Sequence, residues 1–327
     1  MTPSSSLLLE DIWRRIFTMK KQQRSDYRIR QRKDLAWDIA FLAPQFIIYF
    51  GLTILPFIIA IPILMTDQIA FIDTDIDFIG FQNFVNIFKS PMVDMFLPAV
   101  KRTAIFMLIN YSTVFIFGMT LALLMYEIKS KLKKPLFTII YVPYMISGLG
   151  IGLIMLLLFS RDTGSVNLML LKIGLIDQAI DIKEPAVSAW AFPLMIGWRY
   201  AGFNMAIFLG GLLSIPVETI DASRVDGANY LQRLWNIYFP QMFSSIMIAT
   251  VICLIGSWGV FDEAVGMGAL AANKNVRFFS VLLYKIGFAG TGQSGTLSEA
   301  LTMAMTINVP LLAVGILLSK LQKKRQI

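Results

Sequence analysis

Histidine is absent from the 327 residues, and cysteine occurs once, at position 253. Without histidine the chain has no side chain of the kind that most hydrolytic enzymes use as general base or proton relay. A single cysteine excludes an internal disulfide, and the two scarcities together exclude ordinary Cys/His metal sites. We therefore expect no enzyme, no metal site and no cofactor on this chain, and we assign no catalytic residue.

Charge is also scarce, because only 15% of the residues are charged whereas 56% are hydrophobic and 13% aromatic. This composition is far more apolar than that of an average soluble domain and indicates a membrane protein. The net charge of +8 raises the possibility of nucleic-acid binding. In a protein with several spans, however, basic residues more often mark the cytoplasmic ends of the helices.

Long uncharged runs are abundant. A membrane helix needs roughly 20 mostly apolar residues, and the one charge inside the predicted spans is Arg199. The first run begins too far into the chain, and is too long, for a cleavable signal peptide. The sequence predicts an all-α polytopic membrane protein with six transmembrane helices, at residues 39–66, 103–126, 135–160, 185–217, 240–261 and 300–319.

The distribution of basic residues predicts the orientation. With six spans both termini lie on one side, and placing them in the cytoplasm puts 19 basic residues inside and nine outside. This agrees with the positive-inside rule and leaves no basic surplus that would need nucleic acid. We expect a cytoplasmic tail at 1–38, a membrane domain at 39–319 and a cytoplasmic C-terminal tail at 320–327. The N-terminal tail, with "LLLEDIWRRIF" and "RIRQRK", favours a solvated or lipid-surface segment over a regulatory site.

The polar stretch 214–240, "SIPVETIDASRVDGANYLQRLWNIYFP", interrupts the apolar runs and falls on the cytoplasmic side. It reads as two short helices, with Pro216 suited to the first helical position of one and Gly227 able to end it in the left-handed conformation. The second helix shows apolar residues at three- and four-residue spacing, which predicts one apolar stripe formed by Leu231, Leu234, Trp235 and Tyr238. Periodicity alone leaves open a helix that rests on lipid.

The spacing of this loop resembles the signature loop of the permeases of binding-protein-dependent ABC importers. That signature is Glu-Ala-Ala, three residues, Gly, nine residues, and Ile-x-Leu-Pro. This sequence has Asp221-Ala222-Ser223, three residues, Gly227, nine residues, and Ile237-Tyr238-Phe239-Pro240. It departs from the signature by Asp for Glu, Ser for the second Ala and Phe for Leu.

The resemblance implies that this hairpin docks on a cytoplasmic ATPase. Asp221 would pair with a basic residue of the ATPase, the small Ala222 and Ser223 would allow close approach, and Gly227 would supply the turn. It also implies a second homologous permease, two ATPase subunits that bind ATP and Mg²⁺, an extracytoplasmic solute-binding protein, and a bacterial inner membrane. The predicted coupling residues are Asp221, Ala222, Ser223, Gly227, Ile237 and Pro240.

Other stretches resemble the sugar-importer branch of this family over residues 39–320: "FIGFQNFVNIFKSP", "WRYAGFNMAIFLGGLLSIP" and "VFDEA". The outside loop departs from it, because "GMGALAANKNVRFF" stands where a Gly-Gly-Pro is common. Taken whole, the chain is similar to permease subunits of bacterial alginate importers. The resemblance implies transport of an oligo- or polysaccharide of uronates, with a neutral oligosaccharide as the alternative.

Polar and aromatic residues inside the spans are candidates for the substrate pathway, because polarity facing lipid is costly and sugars stack on aromatic faces. For any one of them, helix packing or a place in an interfacial aromatic belt is the competing interpretation. For Arg199 we consider both a bidentate contact with a uronate carboxylate and a structural role, and we favour the structural role. The candidates are Asn110, Tyr111, Tyr144, Trp198, Arg199, Tyr200, Asn204, Trp258 and Asn308.

The glycines of "SGLGIGL", at 148, 150 and 152, lack the Lys and Ser/Thr of a nucleotide loop, so we interpret them as sites of close helix packing.

Two other function classes are alternatives to an importer permease: a secondary transporter or channel, and a membrane anchor without transport. The coupling signature argues against both, and co-purification with an ATPase would separate them.

Overall fold

The structure is a computed structural model that describes residues 37–70, 73, 75–128, 130–270, 274–288 and 295–325. Within these residues every regular element is a helix, and the one β contact is an isolated antiparallel bridge between Thr66 and Phe78. This confirms the all-α class. The predicted N-terminal tail lies outside the described residues except for its last two positions.

The chain divides into two units, one ending at Pro62 and one beginning at Ile63. The described part of the first unit is helical from its start and belongs to α1, Trp37–Ile63, which is long and apolar enough to cross a membrane. One turn of it, Phe50–Ile54, is a π-helix in which the Leu55 N–H bonds the Phe50 carbonyl. Pro56 follows directly, and a proline ring clashes with the carbonyl four residues before it, so a wider turn relieves that clash.

The second unit contains the remaining helices, and two long ones, α3 and α7, pack against each other. At this contact Gly118 lies so close to α7 that a β-carbon on it would sit 2.9 Å from Cβ of Asn204. The helices are α2 (Gln82–Asn86), α3 (Met92–Glu127), α4 (Lys133–Met145), α5 (Gly148–Leu158), α6 (Ser165–Lys172), α7 (Pro185–Leu213), α8 (Val217–Val225), α9 (Tyr230–Gln241), α10 (Phe243–Trp258), α11 (Asp262–Gly266), a 3₁₀ turn (Lys274–Val276), α12 (Phe279–Phe288) and α13 (Leu297–Arg325).

Three described helices, α1, α3 and α13, are each long and apolar enough to span a membrane, and the number rises to six if each of three bent pairs is one span. The pairs bend by 93° between α4 and α5, by 72° between α7 and α8, and by 69° between α9 and α10. The predicted count of six therefore stays a prediction. Among the predicted bounds, α3 begins at Met92 rather than 103, α7 ends at Leu213 rather than 217, and α13 ends at Arg325 rather than 319.

The break between α4 and α5 has a local cause in the sequence. Ile146 and Ser147 adopt extended ψ angles of 137° and 148°, and the Ser147 side chain caps α5 by accepting the Gly150 N–H at 3.1 Å. Serine is among the preferred N-cap residues because its oxygen satisfies an amide that lacks a helical partner. The third apolar run therefore consists of two helices rather than one.

Two glycines of "SGLGIGL" allow α11 to pack directly on α5. A β-carbon added to Gly152 would lie 2.8 Å from Cα of Gly266, and one added to Gly148 would lie 2.9 Å from Cδ of Glu263. Contacts below 3.0 Å would force atoms to shift, so these positions need glycine for close approach. Gly150 contacts the Ser147 cap instead. Close packing thus explains the first and third glycines and not the second.

Candidate coupling and translocation site

The hairpin formed by α8 and α9 has the two-helix form that the sequence predicts. α8 begins at Val217, one residue later than expected, since Pro216 has extended dihedral angles and precedes the helix. Gly227 has φ of 77°, in the left-handed region, and lies two residues after the last residue of α8. Asn229 and Gln232 then start α9 through reciprocal hydrogen bonds of 2.8 and 2.9 Å between side chain and backbone.

The six predicted coupling residues do not share one surface. Asp221, Ala222 and Pro240 are exposed together with Gly227, and Ile237 is half-buried. Ser223 is 8% exposed and donates to the Ile220 carbonyl at 2.6 Å, so it packs inside the hairpin. The carboxylate of Asp221 accepts from the Arg224 guanidinium at 3.0 Å. A partner that binds Asp221 would therefore compete with Arg224.

The single apolar stripe predicted for α9 is wrong. Leu231 and Trp235 are exposed by 63% and 67%, whereas Leu234 is half-buried and Tyr238 is fully buried. The physical reason is a π-helical turn at Leu234–Tyr238, where the Phe239 N–H bonds the Leu234 carbonyl. The wider turn rotates side chains away from regular three- and four-residue spacing.

Three of the predicted pathway residues lie at the contact between α3 and α10. The Asn110 amide donates to Ser257 Oγ at 3.2 Å and to Cys253 Sγ at 3.6 Å. The Tyr111 hydroxyl lies 3.1 Å from Thr250 Oγ1, and the Trp258 N–H donates to Met107 Sδ at 3.3 Å. These interhelical hydrogen bonds satisfy polar groups that would be costly in hydrocarbon.

Two further candidates meet at the contact between α4 and α7. The rings of Tyr144 and Tyr200 have centroids 5.6 Å apart, and Tyr144 also stacks on Phe203 at 4.7 Å. Asn204 is buried and its amide donates to the Tyr200 carbonyl at 3.0 Å. Trp198 is 45% exposed and Asn308 is exposed. The structure thus separates the candidates into an α3–α10 group, an α4–α7 group and these two exposed residues.

Arg199 is held inside the chain. Its guanidinium forms a buried ion pair with Glu263 on α11, and it donates to the Ile146 carbonyl from Nη2 at 2.8 Å and from Nε at 3.2 Å. It also contacts Tyr200, with 3.3 Å from Nη1 to the hydroxyl and 5.0 Å from the guanidinium carbon to the ring centroid. We call Arg199, Glu263 and Ile146 the Arg199 cluster. These contacts support the structural role that we favoured for Arg199.

Sequence reasoning missed Glu263, although the acid stands in the quoted "VFDEA" immediately after the fifth apolar run. It also missed two buried asparagines. Asn167 is 1% exposed and donates to the carbonyls of Phe159, Ser160 and Ile180 while accepting the Ile180 N–H. Asn83 is 2% exposed and donates to the Leu64 and Thr66 carbonyls. Their sequence signal is weak, since both stand in short amphipathic stretches that read as surface helices.

Similarity to known proteins identifies the family of this chain. Residues 114–323 match the family described as "Binding-protein-dependent transport system inner membrane component". The chain belongs to this family. The resemblance noted from the coupling signature is confirmed, and this permease is an inner-membrane component of a binding-protein-dependent ABC importer.

The permease is 25% identical over 295 residues to the "Probable starch degradation products transport system permease protein AmyD" of Thermoanaerobacterium thermosulfurigenes, covering 90% of this chain and 97% of that protein. It is 26% identical to the "Polygalacturonan/rhamnogalacturonan transport system permease protein YteP" of Bacillus subtilis, covering 64% and 65%. A crystal structure of a bacterial ABC transporter involved in the import of the acidic polysaccharide alginate has a chain with a TM-score of 0.74 and 26% identity. That match covers 90% of this permease and 99% of that chain. These relatives are transport components rather than enzymes.

Proposed function

We propose that this permease forms half of a translocation pathway for a uronate oligo- or polysaccharide and couples that pathway to cytoplasmic ATPase subunits through the α8–α9 hairpin. The observation that carries the proposal is the hairpin itself. It joins two apolar segments across the left-handed Gly227, and it exposes Ala222, Leu231 and Trp235. Exposed apolar side chains beside an exposed acid are suited to a partner with a complementary basic rim.

The assembly that we propose contains a second homologous permease, two ATPase subunits and an extracytoplasmic solute-binding protein. ATP and Mg²⁺ would bind to the ATPase subunits and not to this chain. The exposed apolar surface of α1 is suited to lipid, and no nucleic acid is involved. A secondary transporter or an anchor would function without an ATPase, so co-purification of this permease with ATPase subunits tests the proposal against both.

The orientation is part of the proposal, with six spans between residues 39 and 319 and both tails, 1–38 and 320–327, in the cytoplasm. Because Cys253 is the one thiol, a Cys253→Ala background lets single cysteines report accessibility. We expect an impermeant thiol reagent to block a cysteine at Ser130 only from the cytoplasmic side and one at Ser165 only from outside. Both positions are exposed. Labelling with the sides exchanged would contradict the orientation.

For the pathway we propose the α3–α10 and α4–α7 groups together with Trp198 and Asn308. The side-chain oxygens of Asn110 and Asn204 are buried and accept no hydrogen bond from the described residues, so each can accept one from a water or a hydroxyl. The rings of Tyr144 and Tyr200 are half-buried and present aromatic surface of the kind that sugars stack on.

A uronate substrate is supported by the likeness to the alginate transporter chain and to a permease named for polygalacturonan. A neutral oligosaccharide is a second candidate, because the Arg199 charge is already paired with Glu263 and a second relative is named for starch products.

The substrate test uses the complete complex with its cognate binding protein in lipid vesicles. We expect an alginate pentasaccharide to stimulate ATP turnover about tenfold more than maltopentaose of the same length, which corresponds to about 1.4 kcal/mol of discrimination. A complex without this permease provides the baseline. Equal stimulation by the two sugars, or stimulation by the neutral one alone, would favour the second candidate.

A further inference from the structure

The Arg199 cluster joins three separate parts of the chain. Arg199 lies on α7, Glu263 on α11, and Ile146 between α4 and α5. Arg199 and Glu263 are 8% and 6% exposed, so their charges lie inside the packed helices. A buried charge that loses its partner is strongly unfavourable, which means that each of these two side chains requires the other.

The carbonyl that Arg199 binds is available because a helix ends there. α4 stops at Met145 and Ile146 is extended, so carbonyls of the last turn have no amide one turn further along to bond. The planar guanidinium presents several N–H groups in a fixed fork, and it uses them on the Ile146 carbonyl and on the Glu263 carboxylate together. One cation therefore fixes the end of α4 relative to α11.

The other side of the break is attached to the same group. α11 packs on the first turns of α5, where Gly148 faces the Glu263 side chain and Gly152 faces Gly266. Both helices that meet at the 93° bend are thus connected to Glu263, α4 through Arg199 and α5 by direct contact.

The cluster also reaches the aromatic pair of the proposed pathway. Arg199 contacts the Tyr200 ring and hydroxyl, and Tyr200 in turn contacts Tyr144 on the last turn of α4. The direction of the guanidinium, and with it the arrangement of the two tyrosines, depends on the carboxylate that anchors it.

We propose that Glu263 is a positioning residue for transport, which holds Arg199 on the Ile146 carbonyl so that the broken third span and the Tyr144–Tyr200 pair keep one arrangement. This inference rests on the proposed function only where it assigns the two tyrosines to the pathway. Glu263 acts through Arg199 and does not itself bind the sugar.

The first test measures the break directly and needs no substrate. Hydrogen exchange of the backbone amides in a peptide spanning 143–153 is followed by mass spectrometry in the purified complex. Glu263→Gln keeps the size of the side chain and removes its charge, so we expect exchange about tenfold faster there. Asp262→Asn is the matched control, because it neutralises the adjacent, exposed carboxylate. It should leave exchange unchanged.

The second test measures ATP turnover stimulated by an alginate pentasaccharide. For Glu263→Gln we expect a lower yield of complex, because the buried Arg199 charge loses its partner. In the complex that assembles, stimulated turnover should fall about tenfold while unstimulated turnover stays as in the wild type. Glu263→Asp retains the charge and should recover part of the loss. A structural role alone would lower the yield of complex and would not separate stimulated from unstimulated turnover in the complex that remains.

Several outcomes would overturn the inference. These are wild-type exchange and turnover in Glu263→Gln, equal losses in the Gln and Asp variants, and equal fractional losses of stimulated and unstimulated turnover in the assembled Glu263→Gln complex. If the wild-type complex is not stimulated by the uronate sugar, the proposed substrate fails. In that case the hydrogen-exchange comparison alone decides the role of Glu263.

Discussion

Replacing Gly227 with valine should abolish most of the substrate-stimulated ATP turnover and leave membrane insertion intact. Gly227 has φ of 77°, and a β-carbon built on it meets no atom within 4 Å. The expected damage therefore comes from backbone strain and not from crowding. A β-branched residue in the left-handed region costs about 1–3 kcal/mol, and the hairpin can avoid that cost by changing its turn. A changed turn displaces α8 relative to α9, and each 1.4 kcal/mol lost in docking lowers turnover about tenfold.

The permease offers a matched control for this experiment. Gly174 has φ of 69° and also has open space around its missing β-carbon, but it lies in the loop after α6, on the opposite side of the proposed membrane. Gly174→Val introduces comparable strain there and should leave the stimulated turnover near the wild-type value. Gly227→Asn should retain most of the activity, because asparagine tolerates the left-handed conformation. Equal activity of Gly227→Val and wild type would remove the hairpin turn from the coupling mechanism.

Replacing Arg199 with glutamine should lower the stability of the permease by about 3–5 kcal/mol, since the Glu263 carboxylate would stay buried without its cation. The measurement is the midpoint of thermal unfolding of the purified permease in detergent, together with its yield in complex with the ATPase. Asp221 pairs with Arg224 on the exposed surface of the hairpin. Arg224→Gln is therefore the control and should change stability by less than about 1 kcal/mol.

A double variant at Arg199 and Glu263 distinguishes the effect of an unpaired buried charge from the loss of the Arg199 hydrogen bonds. Arg199→Met combined with Glu263→Met removes both charges, and replacing a buried ion pair with apolar side chains is often neutral or stabilising. We expect the unfolding midpoint to return towards the wild-type value. Stimulated turnover should stay low, because methionine cannot donate to the Ile146 carbonyl. If Arg199→Gln keeps full stability and assembly but loses uronate transport, the guanidinium contacts the substrate and the structural role is wrong.

The sequence predicts this fold where one physical effect dominates. Apolar runs of membrane length locate the segments of α1, α3 and α13, because burial in hydrocarbon favours such composition. The turn at Gly227 is equally direct, since an acidic amphipathic helix followed by glycine has few other conformations. Runs such as 135–160 are harder to predict. Hydropathy measures only composition, so it does not reveal the 93° bend that Ser147 introduces in that run.

The site was predicted less well than the fold, and the reason lies in contacts between distant residues. Arg199 and Glu263 are 64 positions apart, so neither indicates the other by spacing along a helix. Tyr144 and Tyr200 likewise meet only because α4 and α7 pack together. Ser223 occupies the second-alanine position of the family signature, yet it points into the hairpin because its position on α8 faces inward. A signature fixes residue types along the chain and does not fix which side of a helix meets a partner.

The π-helical turn at Leu234–Tyr238 has a consequence for how this hairpin can vary in length. A π turn holds one residue more than the α turn that it replaces, and Pro240 follows it closely. Deleting a single residue between Gly227 and Pro240 would return that turn to α geometry and rotate everything before it by about 100° relative to α10. The exposed Leu231 would then face a different direction. The nine-residue interval after Gly227 therefore determines how the hairpin is rotated relative to α10, in addition to its length. Insertions or deletions there would turn its apolar surface away from a partner.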